Sequence, residues 1–162
     1  MTRKIAFFDA KPYDIKSFTE MNKDFGFDIA YFETHLNAQT ASLSGDFDAV
    51  CAFVNDTIDK AVIDEIIKHG VKLIALRCAG FNNVDLEAAH RLGIDVLRVP
   101  AYSPHAVSQH TIAFILALNR RIYKAYNRVR ERNFSTDGPA GFALAGKAEG
   151  LIGPGRIRPV GA

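Results

Sequence analysis

The sequence has no tryptophan, two cysteines, two methionines and six prolines. Two cysteines are too few for the disulfide framework of a small secreted scaffold. Neither Cys51 nor Cys78 has a histidine close by in sequence, and their spacing fits no common zinc pattern, so no metal site is expected. Both sit in apolar, strand-like runs, which suits free thiols in a reducing compartment, and the expected location is cytoplasmic. An excess of charge of either sign is also lacking: the net charge is +2, too small to point to nucleic acid or an anionic membrane. No stretch approaches the roughly 20 apolar residues of a membrane span. Met1-Thr2-Arg3-Lys4-Ile5 leads straight into a strand-like run, without the long apolar segment of a signal peptide.

What is present is alternation. Short apolar runs at Lys4–Phe8, Asp28–Phe32, Asp48–Phe53, Lys72–Arg77 and Asp95–Val99 read as strands. Between them lie helical stretches, around Tyr13–Asp24, from Asp59 to His69 and from Asp85 to Leu92. Ala61, Val62, Ile63, Ile66 and Ile67 form an apolar stripe that Gly70 ends, and Gly93 ends the third helix. Strands separated by helices imply a parallel sheet with right-handed crossovers, here a flavodoxin-like α/β domain over residues 1–100. Pro100 breaks the pattern. Ser103-Pro104 is a helix start, serine at the cap and proline in the first turn. The helix is expected to run to about Tyr126, with Val107, Thr111, Phe114, Ile115 and Leu118 as its apolar stripe. Residues 133–147 read as a connection, and Ala148–Ile152 as the first strand of a second domain.

That strand enters Gly150-Leu151-Ile152-Gly153-Pro154-Gly155, which looks like the glycine loop of a dinucleotide-binding domain, with Gly153 and Gly155 as the cofactor-binding residues. The acidic ribose ligand of such a unit stands about 20 residues beyond the glycines, past Ala162. The third glycine of G-x-G-x-x-G is replaced by Arg158, and Pro159 removes a backbone donor where the helix should establish itself. Residues 101–162 are therefore expected to be a crossing helix and an incomplete Rossmann start. Truncation, a frameshift or deliberate shortening would each produce this.

Arg77-Cys78-Ala79-Gly80-Phe81-Asn82-Asn83-Val84-Asp85, Val99-Pro100-Ala101-Tyr102-Ser103-Pro104 and Leu118-Asn119-Arg120-Arg121, in that order, closely resemble the D-lactate dehydrogenase branch of the D-isomer-specific 2-hydroxyacid dehydrogenase family. The resemblance covers about Lys4 to Ile157. It implies two α/β domains, the first binding substrate and the second NAD. It also implies hydride transfer between NADH and a 2-oxoacid such as pyruvate, giving the D-2-hydroxy acid. The arginine, glutamate and histidine that perform this chemistry in similar proteins come from the region after the glycine loop. They have no counterpart here, so no catalytic residue is expected in this chain, and the chain alone is expected to be inactive.

The expected substrate-binding residues are Cys78, Ala79, Gly80, Tyr102 and Phe53. The Cys78-Ala79-Gly80 loop follows a strand's carboxyl end, where ligands of open α/β sheets gather, and glycine lets backbone N–H groups approach a carboxylate closely. The local residues alone favour a plain tight turn; the resemblance supports the carboxylate role. It also supports a hydrogen bond to that carboxylate from the Tyr102 phenol, against simple hinge packing. Phe53, beyond the third strand, either limits substrate size or merely fills the core. His105 and His110 read as structural. The basic run Arg120, Arg121, Lys124, Arg128, Arg130 and Arg132 reads as a solvated helix face or a domain contact. Exposed, the stripe on residues 103–126 would drive self-association. A non-catalytic module binding a small carboxylate is the alternative. A phospho-receiver fits poorly, because Asp9 lacks an acidic neighbour and no lysine follows the fifth strand.

Overall fold

The computed structural model describes residues 2–138, 140–150 and 152. The chain divides into two compact units, Met1–Pro100 and Ala101–Ala162. The first is built on five strands: β1 (Lys4–Phe7), β2 (Asp28–Tyr31), β3 (Ala49–Ala52), β4 (Leu73–Leu76) and β5 (Asp95–Arg98). All pair in parallel in the order β2-β1-β3-β4-β5. The register sets Ala6 beside Ala30 on one side and Val50 on the other, and Leu76 beside Arg98. This is the flavodoxin-like order.

A parallel sheet must be covered on both faces, and its central strands read as continuous apolar runs. All four residues of β3 are buried. On one face Ala6, Val50, Ala52, Ile74 and Leu76 pack with Val62, Ile63 and Ile66 of α2 (Lys60–Lys68) and Ala88 and Ala89 of α3 (Leu86–Arg91). On the other, Phe7 and Cys51 gather Ile5, Ile29 and Tyr31. The Phe7 ring there meets Phe18 of α1 (Pro12–Asn22) edge-on at 4.8 Å.

The helix boundaries follow from capping chemistry. Asp59 accepts a hydrogen bond from the Val62 N–H at 3.0 Å, and Asp85 one from Ala88 at 2.9 Å. Gly70 leaves α2 with φ of 88°, a left-handed conformation natural to glycine. A 3₁₀ turn at Ala41–Ser44, which the hydrophobic pattern does not announce, carries the chain from β2 toward β3. No described helix is long and apolar enough to cross a membrane.

In the second unit α4 (Pro104–Asn119) begins as expected, Ser103 accepting from Ala106 N–H at 3.1 Å. It does not continue to Tyr126. Arg121 turns left-handed (φ 50°), and a separate α5 (Ile122–Arg130) follows. The break coincides with a tertiary contact. The Asn119 side-chain amide donates to Phe142 O at 2.7 Å, and its oxygen accepts from Phe142 N–H at 3.1 Å. Beside this pair the backbone of Gly141 passes so close that a Cβ there would stand 2.1 Å from the Asn119 carbonyl oxygen. The strand expected over Ala148–Ile152 does not form among its described residues, 148–150 and 152; a strand needs a neighbouring edge to satisfy its backbone groups. Both cysteines are free. Cys51 is buried, while Cys78 is only partly covered, because its strand ends at Leu76 and Cys78 already belongs to the loop.

Ile63 is fully buried at the centre of the α2 contact with the sheet. Ile63→Ala is expected to destabilise the chain by about 2–5 kcal/mol. Urea unfolding followed by circular dichroism measures this, as a lower midpoint at unchanged slope.

Candidate functional site

Strand order reverses direction between β1 and β3, so the chain diverges there at the carboxyl edge of the sheet. That crevice is where open α/β sheets bind ligands. Three segments converge on this edge: Phe8–Lys11 after β1, Phe53–Asp56 after β3, and Arg77–Asn83 after β4.

The Cys78–Gly80 loop has a one-sided hydrogen-bond pattern. Its carbonyls are occupied: Cys78 O accepts from Val99 N–H at 3.1 Å, Ala79 O from Arg98 Nη1 at 3.2 Å, and Gly80 O from the Cys78 thiol at 3.3 Å. The N–H groups of Ala79, Gly80 and Phe81 donate to nothing among the described residues. Gly80 is exposed. Its φ is not left-handed and a Cβ built on it would meet no atom within 4 Å, so nothing within this fold demands glycine at the position. A short run of unpaired donors around an exposed glycine is an arrangement that accepts an anion.

Phe53 is held on three sides. Its N–H donates to Asp56 Oδ2 at 2.6 Å, its carbonyl accepts from Asn83 Nδ2 at 2.9 Å, and its ring lies against the Arg77 guanidinium, 4.7 Å from centroid to carbon. Arg77 is nearly buried, its side chain 9% exposed. It donates to Phe8 O at 3.0 Å and Asp9 O at 2.7 Å and covers the Phe7 ring at 4.6 Å. It also stands near Asp9 and Asp14 carboxylate oxygens at 3.9 and 3.7 Å.

Asp9 is itself unusual. It is buried, with φ of 50°, a region that aspartate tolerates better than most residues. Its Oδ1 lies 2.7 Å from Lys11 Nζ and 3.6 Å from His35 Nδ1. The lysine contact is an ion pair without good hydrogen-bond geometry, and Oδ1 is the one buried side-chain oxygen lacking a hydrogen bond among the described residues. Burial pushes the Asp9 carboxyl up, but Lys11, His35 and Arg77 outweigh it and hold the group below the usual carboxylate range. Asp56 goes the other way. Burial raises it, although the Phe53 and Leu36 N–H groups donate to it at 2.6 and 2.8 Å. Burial also raises Cys78 and pushes Cys51 up to about 12, so neither thiol is activated.

Of the five expected substrate-binding residues, the first unit holds Cys78, Ala79, Gly80 and Phe53, all on loops at this edge. Tyr102 lies in the second unit, just before α4, with most of its side chain exposed. Gly153 and Gly155 lie outside the described residues. Residues 148–150 form no strand, so the described residues do not by themselves make a dinucleotide cradle. His110 packs edge-on against Phe114 at 4.4 Å. In the basic run, Arg121 and Arg128 donate to the carbonyls of Gly138 and Asp137, clipping the 133–138 segment to α5. Among the described residues no cluster could hold a metal ion. Hollows of about 590, 400 and 600 Å³ lie on α1, in the second unit, and at the amino ends of the strands. None of them brings converging donors together as the strand carboxyl ends do. Sequence reading missed Asn83, Asp56, His35 and Lys11 as parts of this edge. Only Asn83 carried a signal, its place in the Arg77–Asp85 motif.

Because the Asp9 carboxyl is lowered in the fold, it stabilises the chain above the unfolded aspartate value of about 3.9, and that contribution is lost as pH falls through the lower folded value. Asn tolerates the same backbone, so Asp9→Asn removes the charge alone. Urea unfolding at neutral pH and at about pH 3 is expected to show a smaller acid-induced loss of stability in Asp9→Asn than in the wild type.

Comparison with known proteins places this geometry. The family described as D-isomer specific 2-hydroxyacid dehydrogenase, catalytic domain, matches residues 5–145. D-lactate dehydrogenase of Escherichia coli is 51% identical over 154 residues, covering 95% of this chain and 47% of that protein. Its apo-structure superposes with a TM-score of 0.86 at 49% identity, covering 98% of this chain and 50% of that one. A D-lactate dehydrogenase from Aquifex aeolicus, complexed with NAD and lactic acid, gives 0.68 at 28% identity over 86% of this chain and 41% of that one. The chain spans about half the length of the curated relatives it matches. A match over most of its residues, on the same parallel sheet, settles its kinship: the chain belongs to the D-isomer specific 2-hydroxyacid dehydrogenase family.

Proposed function

We propose that this chain is the substrate-side portion of an NAD-dependent D-2-hydroxyacid dehydrogenase acting on D-lactate and pyruvate, and that the Cys78–Gly80 loop holds the acid's carboxylate. The observation that carries this reading is the loop's asymmetry, with carbonyls engaged and N–H groups unpaired, at the sheet edge where ligands bind. Phe53 walls the substrate's side chain. The redox chemistry belongs to the nicotinamide; these residues supply binding and orientation. The arginine, glutamate and histidine of similar proteins lack counterparts in these 162 residues, so the isolated polypeptide binds the acid without turning it over. Its free thiols and lack of a membrane-crossing helix among the described residues suit a cytoplasmic setting.

The test separates binding from folding. Pyruvate titrated into the isotope-labelled chain is expected to shift the amide resonances of Ala79, Gly80 and Phe81. Gly80→Ala, which has space for its methyl, is expected to keep wild-type stability within about 0.5 kcal/mol yet weaken pyruvate binding about tenfold or more, a loss of roughly 1.4 kcal/mol. Equal binding by both proteins would defeat the loop assignment. Pyruvate-dependent NADH oxidation at about 1 per second or faster would defeat the claim of inactivity, and binding of the acid with no NADH binding would favour the stand-alone carboxylate module.

We also propose self-association through residues 103–126. Phe114 and Leu118 of α4 are 54% and 62% exposed, an apolar surface that marks a contact site. Light scattering is expected to give a mass that rises with concentration; a constant monomer mass overturns this.

A further inference from the structure

The walls assigned above come from different loops, and one side chain ties them together. The Asn83 amide nitrogen donates to Phe53 O at 2.9 Å and Asp56 O at 3.0 Å, holding both ends of the turn after β3. The Asn83 carbonyl accepts from Ile58 N–H at 2.9 Å, and Ile58 O accepts from Asp85 N–H at 2.9 Å, a short parallel bridge between the two loops. Three residues upstream on the same loop is Gly80. Arg77, which opens that loop, lies under the Phe53 ring. Phe53 is thus referred to the Cys78–Gly80 loop at its ring and its carbonyl, and Asn83 makes the carbonyl link.

We propose that Asn83 is a positioning residue for selectivity: it fixes the distance between the Phe53 wall and the loop that holds the carboxylate, and so excludes 2-oxoacids with bulky side chains. This rests on the binding reading given above. Amide geometry suits the role. Asn offers two donors from one nitrogen, enough for two carbonyls at once, whereas aspartate would offer oxygens to oxygens. Removing the amide leaves the fold other supports. Phe53 O still accepts from Asp56 N–H at 3.1 Å, Asp56 still holds Phe53 N–H, and the Ile58 bridge uses only backbone. What is lost is the side-chain link from the Phe53 and Asp56 carbonyls to the β4 loop, so the aromatic wall gains freedom to withdraw.

The experiment is a double-mutant cycle on the full chain, read as the ratio of affinities for 4-methyl-2-oxopentanoate and pyruvate. Asn83→Ala is expected to raise that ratio about tenfold, 1.4 kcal/mol, with pyruvate affinity itself little changed. In a Phe53→Ala background, where the wall is already gone, Asn83→Ala is expected to leave the ratio unchanged, because coupled residues are not additive. An unchanged ratio in the single variant, or an equal shift in both backgrounds, overturns the proposal. General loosening of the fold would weaken both acids together and would also overturn it. Should Asn83→Ala fail to fold, Asn83→Ser, with one donor in place of two, is read the same way. A wild-type chain that binds neither acid overturns the underlying reading, and this proposal with it.

Discussion

The carboxyl edge of this sheet depends on one cation. Arg77 is nearly buried, and a buried guanidinium is tolerated only when its donors and its charge are both answered. Here two backbone carbonyls after β1 take its N–H groups, two carboxylates stand within 4 Å, and two aromatic rings cover its faces. The result joins β1, β3 and β4 at the end where the Cys78–Gly80 loop begins. Lysine would not reproduce it, since a point charge cannot stack flat between rings while bonding two carbonyls in a fork. The neighbouring acids divide accordingly: Asp9 is held charged by its cations, while Asp56, under stronger desolvation, is pushed the other way.

Local chemistry was legible where it is local. Asp59, Asp85 and Ser103 cap the helices that their positions promise, because a cap acts on N–H groups three residues away. The strands follow from apolar runs, and the flavodoxin-like order from alternation with helices. The Gly80 loop was singled out through its motif, and the structure adds which of its groups lack partners among the described residues. The rest is set by contacts across long sequence separations. Arg77 bonds carbonyls 68 and 69 positions away, and no periodicity announces that. The same holds for Asn83 and Phe53, 30 positions apart. α4 was expected to run on because nothing in Leu118–Tyr126 breaks a helix; its end coincides with the pairing of Asn119 and Phe142, 23 positions on.

The two halves of the described chain also differ in how they use apolar surface. In the first unit both faces of the sheet are covered by helices and the largest core side chains are fully buried. In the second, α5 has no buried residue and α4 has only Ser108. A helix that is apolar around most of its circumference ordinarily lies inside a larger body. The stability of the first unit is therefore carried by its own core, and the second leans on clips such as Arg121 to Gly138 and Asn119 to Phe142.

The one-sided loop at Cys78–Gly80 has a chemical corollary. Each carbonyl there accepts from Val99, Arg98 or the Cys78 thiol, while the N–H groups of Ala79, Gly80 and Phe81 have no partner among the described residues. If the loop holds a carboxylate as proposed, a zwitterion such as an amino acid would find donors for its negative end and no comparable partner for its ammonium. Under the proposed carboxylate role, the backbone would thus favour keto and hydroxy acids over their amino analogues, before any side chain is consulted.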